Sequence, residues 1–157
     1  MKAVLFFMCF ISSITFAASD MPKSCKRVSD FSNTVMLKRG HTTTYLIKNV
    51  SQHQLWLTHP IANPSASAGW SSELDKNRWS ALQLEKDKEA FELSCIESKP
   101  GHEQQIPCKG VIIVCDYKSI KAPKTLTSSF WAGENMPLDE LMTHLEGRGY
   151  TISEDSK

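Results

Sequence analysis

Beyond its first residues this chain has no long apolar run, no net charge and no recognised catalytic signature. A membrane helix needs roughly 20 consecutive apolar residues, and even the N-terminal run is too short for that. Phosphate-cradling glycine loops are missing. No Gly-x-Ser-x-Gly elbow occurs, so a serine hydrolase of that design has no support. No Cys-x-x-Cys pair occurs either, which argues against a thioredoxin-like dithiol and the common zinc ribbons.

The start of the chain explains the missing charge. Met1 and Lys2 are followed by an apolar stretch from Ala3 to Ile11, then by Ser12, Ser13, Ile14, Thr15, Phe16 and Ala17. A positive start, a short apolar core and small residues at a cleavage point make a secretory signal. Cleavage after Ala17 places Ala17 at −1 and Thr15 at −3, both small. Cys9 does not suit a lipid anchor, because Phe6, Phe7 and Met8 before it are bulky. The expected domains are a signal peptide at 1–17 and one mature domain at 18–157, with no membrane span and a periplasmic or secreted location. Losing Lys2 from the 18 Lys and Arg leaves 17, against 17 Asp and Glu. A neutral chain lacks the basic face that nucleic acid requires. Lys118, Lys121 and Lys124, spaced three apart near Pro123, read as a solvated loop.

Removing Cys9 leaves Cys25, Cys95, Cys108 and Cys115, an even set in an exported chain. That pattern reads as two disulfides. Four cysteines allow three connectivities, and the sequence leaves them open. One of them bridges Cys95 to Cys108 across a Lys99-Pro100-Gly101-His102 turn, and Cys25 would then reach Cys115. The 12- and 6-residue gaps between the last three cysteines do not suit zinc ribbons.

Hydrophobic alternation marks short strands at 33–37, 42–50, 54–58, 79–84 and 91–96. Tyr45 and Ile47 are expected on the core face. Gly110 to Tyr117 is a continuous apolar run of central-strand type, and Leu126 to Trp131 is a further strand. About seven strands with turns at this spacing predict an all-β, antiparallel sandwich. Leu138, Leu141, Met142 and Leu145 follow helical spacing, so one C-terminal helix should lie against it. Asn135 is its expected cap and Gly147 its expected end. Tyr150 to Ile152 can return as a strand.

The stretch from His59 to Glu73 has loop composition, with two prolines, a glycine and many Ala and Ser residues. Long loops in compact domains are often functional. His59, Asn63, Ser65, Ser67 and Trp70 are therefore the candidate binding residues. Asn49-Val50-Ser51 matches a glycosylation sequon, though a turn also explains it. Among the tryptophans, Trp56 and Trp79 are expected in the core, and Trp70 and Trp131 on the surface. No acid, base and nucleophile can be assembled, so no enzyme and no cofactor is expected. His53 and His59 bracket one strand and are the weak metal candidates. A copper-type, cupredoxin-like protein is the alternative they leave open, although such a site needs a free cysteine beside a histidine.

Three stretches resemble a known family. The first is Trp56 to Leu82, with His-Pro-Ile-Ala-Asn-Pro-Ser-Ala-Ser-Ala-Gly-Trp-Ser-Ser at its centre and Trp79-Ser-Ala-Leu82 at its end. The second is Phe91 to Cys115, with Leu93-Ser-Cys95, Pro100-Gly101-x-Glu103-Gln104 and Cys108-x5-Val114-Cys115. The third is Trp131-Ala-Gly-Glu-Asn135 and the helix after it. Together they are similar to the enhanced-entry B family, small exported proteins of intracellular Gram-negative pathogens. The resemblance implies a virulence-associated role in host-cell entry or intracellular growth, and it brings no catalytic residues. The expected partner is a protein in the envelope or on the host surface.

Overall fold

The computed structural model describes residues 21–59, 71–99, 101–126 and 128–153. The strands in chain order are β1 (Lys26–Val28), β2 (Thr34–Leu37), β3 (Thr43–Asn49), β4 (Leu55–Thr58), β5 (Ser71–Leu74) and β6 (Trp79–Leu84). They continue with β7 (Phe91–Lys99), β8 (His102–Ile106), β9 (Ile112–Asp116), β10 (Ile120–Lys121), β11 (Phe130–Met136), the helix α1 (Leu138–Gly147) and β12 (Thr151–Ile152). One sheet runs β1-β9-β3-β6-β11 and a second runs β2-β7-β4-β5, with β8 also on β7. The strand pairs are all antiparallel. The expected all-β sandwich with one C-terminal helix is what the chain forms.

Alternation builds the core between the sheets. Tyr45 and Ile47 of β3 turn inward with Leu82 and Leu84 of β6 and Ile112 and Val114 of β9. Val35, Leu37, Leu55, Leu57 and Leu93 answer them from the second sheet. Each such side chain, fully buried, contributes roughly 1.5–3 kcal/mol.

The first sheet is covered on its other face too. Leu46, Trp79, Ala81 and Ile113 pack there beneath Leu141 and Leu145 of α1, with Ile120 and Tyr150 from the small β10–β12 sheet. That second cover explains why Ile112 to Cys115 are buried without a break. The helix sits close to β11 because Gly133 lacks a side chain. A Cβ there would lie 2.4 Å from Leu141 Cδ1 and 3.2 Å from His144 Cδ2. Gly133→Ala is therefore expected to destabilise by about 1–3 kcal/mol through overpacking, read as a lower urea midpoint with an unchanged slope.

The start of the helix differs from expectation. Asn135 lies in β11 with φ 53°, and Pro137 holds the cap position with no side-chain hydrogen bond. Asn135 instead serves the strands. Its Oδ1 accepts from the Asp75 amide at 2.8 Å, and its Nδ2 donates to Asp75 Oδ2 at 2.9 Å. The helix ends at Gly147, as expected, and the chain then turns away through Gly149, at φ 84°. The Gly149 amide donates to the Glu146 carbonyl and the Tyr150 amide to that of Leu145.

Two disulfides fasten this body. Cys25 joins Cys115 across 90 residues, and Cys95 joins Cys108 across 13. The first pins the N-terminal arm to the outer face of the central strand β9. The second closes the hairpin side of the inter-sheet core. Two such bridges are compatible with a compartment outside the cytosol. Among the described residues no helix is long and apolar enough to cross a membrane.

Candidate functional site

Topology gathers several turns at one end of the sandwich. Leu37 pairs with Phe91, and Thr58 with both Ser71 and Ser94. The chain therefore leaves β4 and re-enters β5 at the end that carries the 38–42 and 85–90 turns. The Asp87 amide donates to the Arg39 carbonyl at 2.7 Å, joining those two turns. Arg39 also pairs with Asp87 Oδ2 at 3.1 Å and donates to the Glu89 carbonyl.

The 59–73 stretch divides there. Ser71, Ser72 and Glu73 are not loop but part of β5. Ser72 is buried, and its hydroxyl lies 3.2 Å from that of Ser80. A strand written Ser-Ser-Glu-Leu carries no apolar alternation, so it read as loop. Asn63, Ser65, Ser67 and Trp70 lie outside the described residues. His59 is described, and it is anchored. Its ring stacks on Phe91 with centroids 4.1 Å apart, and its Nδ1 donates to the Glu92 carbonyl at 2.6 Å.

His53 and His59 sit beyond opposite ends of β4 and are not brought together. A strand advances about 3.3 Å per residue, so some 20 Å separate them along the chain. His53 Nε2 lies 3.5 Å from Glu97 instead. Cys25, Cys95, Cys108 and Cys115 are all in disulfides, which leaves none of them as the free thiolate of a copper-type centre. Among the described residues no group of three or more His, Cys, Asp or Glu could hold a metal.

Trp79 lies in the core as expected, whereas Trp56 and Trp131 depart from expectation. Trp79 is buried beneath the helix with Lys48 Nζ 5.5 Å from its ring. Trp56 lies on the outer face of the second sheet, opposite Ile96, and is half-buried. Trp131 is no surface residue of the simple kind. It packs against the inter-sheet core, and its Nε1 is buried without a hydrogen-bond partner.

Buried hydroxyls and a carboxylate meet near Ser72, Ser80 and Glu134. Burial raises the Glu134 carboxyl, partly offset by a hydrogen bond from Ser72. The Ser80 hydroxyl accepts from the Asn135 amide at 3.1 Å. Ser72 and Ser80 are at most 1% exposed. They knit β5 to β6 and β11 and offer no reachable nucleophile.

One opening lies at the loop end of the first sheet, a groove of about 720 Å³. Thr42, Thr43 and Thr44 enter it from the start of β3, and Asp116 from the end of β9. Tyr117, Ile120 and Leu126 form an apolar back wall. Its rim carries Lys86, Lys118, Lys121 and Lys124, all exposed. The Oδ1 atom of Asp116 is buried with no hydrogen-bond partner. Behind it, Tyr45 donates to the Lys38 carbonyl at 2.8 Å. Burial, helped by the Asp116 charge, pushes that phenol up to about 12, so it stays a donor at physiological pH. A second cleft, of about 740 Å³, is lined by Lys38, Arg39, Lys88 and again Lys86. The two openings thus share one lysine. Lys118, Lys121 and Lys124 are the lysines expected in a solvated loop. They are exposed, but the fold sets them beside Lys86 from a distant turn.

The chain matches no family model, no curated protein and no solved structure.

Proposed function

We propose that this is an exported, non-enzymatic binding protein, acting in the periplasm or after release, and associated with host-cell entry or intracellular growth. The family reading rests on the likeness of Trp56–Leu82, Phe91–Cys115 and the Trp131–Asn135 segment to enhanced-entry B proteins. The observation that supports recognition over catalysis is the convergence of turns at one end of a disulfide-fastened sandwich. A rigid scaffold that holds loops at one end is a common plan for binding domains. The anchoring of His59 to Phe91 and Glu92 fixes where the 60–70 segment starts, which lowers the entropy cost of binding through it. The partner is a protein of the envelope or of the host surface.

Deleting Ser65 to Ala68 tests this. The variant is expected to keep its melting temperature within a few degrees and to lose a crosslinked partner that the full mature chain captures on intact host cells or in the periplasm. Full retention of that partner by a folded deletion variant removes the loop from the account.

A further inference from the structure

A chain with a net charge of only +1 gathers cations at one end. Lys38, Arg39, Lys86, Lys88, Lys118, Lys121 and Lys124 border the two openings at the loop end, against Glu85, Asp87 and Asp116. Arg39 is matched by Asp87. None of the six lysines has an ion-pair partner among the described residues. Converging lysines cost several tenths of a kcal/mol in mutual repulsion on each close approach. A fold that gathers them without partners is one that leaves them for an anion.

The lining narrows the anion. The groove is not purely cationic: Glu85 and Asp116 lie within it, and Asp116 Oδ1 is an acceptor with no donor. A polyphosphate backbone offers acceptors alone and would meet those carboxylates unfavourably. The apolar wall does not offer a face for stacked bases, because Tyr117 is fully buried and Leu126 and Ile120 are aliphatic. A ligand with anionic groups and hydroxyl donors on one chain satisfies both halves of the lining. Its carboxylates or sulfates meet the lysines, and its hydroxyls meet the exposed Glu85 carboxylate and Thr42 hydroxyl. Two openings joined at Lys86 suit an extended chain of several units.

We propose that the loop end binds an acidic polysaccharide, a chain bearing uronate or sulfate groups, along the track from Lys38 through Lys86 to Lys124. This surface is built from none of the residues of the 60–70 segment and goes beyond the protein-partner reading.

The test uses the mature, oxidised protein and two defined probes, a heparin octasaccharide and a carboxylate-only oligogalacturonate. Titration calorimetry across 25–300 mM salt gives affinity and its salt slope. The Lys118→Gln, Lys121→Gln, Lys124→Gln triple variant is expected to bind at least tenfold more weakly. Its salt slope should shrink by up to about three, one released counterion per lysine. A charge-matched control, Lys76→Gln with Arg78→Gln and Lys109→Gln at other turns, should bind within twofold of the parent. Binding of the sulfated probe alone points to a host-type glycan, and binding of the uronate probe also to an envelope polymer; either supports the groove. Binding to neither probe overturns it, as does equal loss in both triple variants. Duplex DNA or polyglutamate binding as tightly as the saccharides would also overturn it. Deleting Ser65 to Ala68 should leave oligosaccharide affinity unchanged, so failure of the loop and failure of the groove are told apart.

Discussion

Removing the long bridge by Cys25→Ala with Cys115→Ala should lower folding stability by about 4–5 kcal/mol. The estimate follows from closing a 90-residue loop in the unfolded chain. The short bridge, Cys95 to Cys108, closes 13 residues and should be worth about 3 kcal/mol on the same reasoning. The ordering is the informative part. Both Cys95 and Cys108 are fully buried in the inter-sheet core, whereas Cys25 is only partly buried. If local packing dominated, losing the buried pair would cost more. If unfolded-chain entropy dominates, losing the long bridge costs more. Urea denaturation of the two double variants decides between them. The account expects the larger midpoint shift for Cys25 and Cys115, and a reversed order contradicts it.

The second large effect should come from Asn49. It is fully buried. Its Nδ2 donates to the carbonyls of His53 and Leu74, both at 2.8 Å. Its Oδ1 accepts from the Ser51 amide at 2.8 Å and the Ser51 hydroxyl at 2.7 Å. One amide therefore holds the 50–54 turn and the end of β5. Removing a buried partner costs about 1–3 kcal/mol for each group left unsatisfied, and some groups here keep a second bond. Asn49→Ala should cost about 3 kcal/mol, which lowers the melting temperature of a domain this size by roughly 10 °C. Asn49→Asp should be comparably harmful, since it keeps the acceptor and loses both donors. A change of under 3 °C in either variant would show that the turn holds without the amide. The same geometry answers the Asn49-Val50-Ser51 sequon: a side chain with both amide hydrogens engaged inside the protein is not presented for glycosylation in the folded state.

Legibility in the sequence followed burial. β6 was readable to the residue, and β3 and β9 nearly so, because two covered faces demand apolar side chains at every position or at every second one. The helix showed in Leu138, Leu141, Met142 and Leu145 for the same reason. What escaped were strands held by backbone pairing rather than by an apolar face. β1 is Lys-Arg-Val with two exposed residues, and β8 is His-Glu-Gln-Gln-Ile on the flank of β7. β5 buries a serine against another serine, a signal that no periodicity carries. Trp56 misled because a tryptophan in a strand between two buried leucines still points to the opposite face. Asn135 looked like a helix cap and is a strand tether, since the position before Pro137 lay within β11.

The candidate site was less legible than the fold. Its residues come from the turns after β2, β6 and β9 and from the segment before β11, brought together only by the sheet order. Charge summed along the chain is only +1, and that sum hides a cationic end. His59 was found from composition, but its role as an anchor depends on Phe91, 32 positions away. Lys86 shares a groove with Lys118 and Lys124 only because β6 and β9 both flank β3.

All of this depends on an oxidised, processed chain. Peptide mapping by mass spectrometry of the native protein, digested without reduction, examines that most directly. The expected result is an N-terminus at Ala18 with two cross-linked peptide pairs, one joining Cys25 to Cys115 and the other Cys95 to Cys108. Free thiols at those four positions, a different pairing, or a chain that still begins at Met1 would contradict the account.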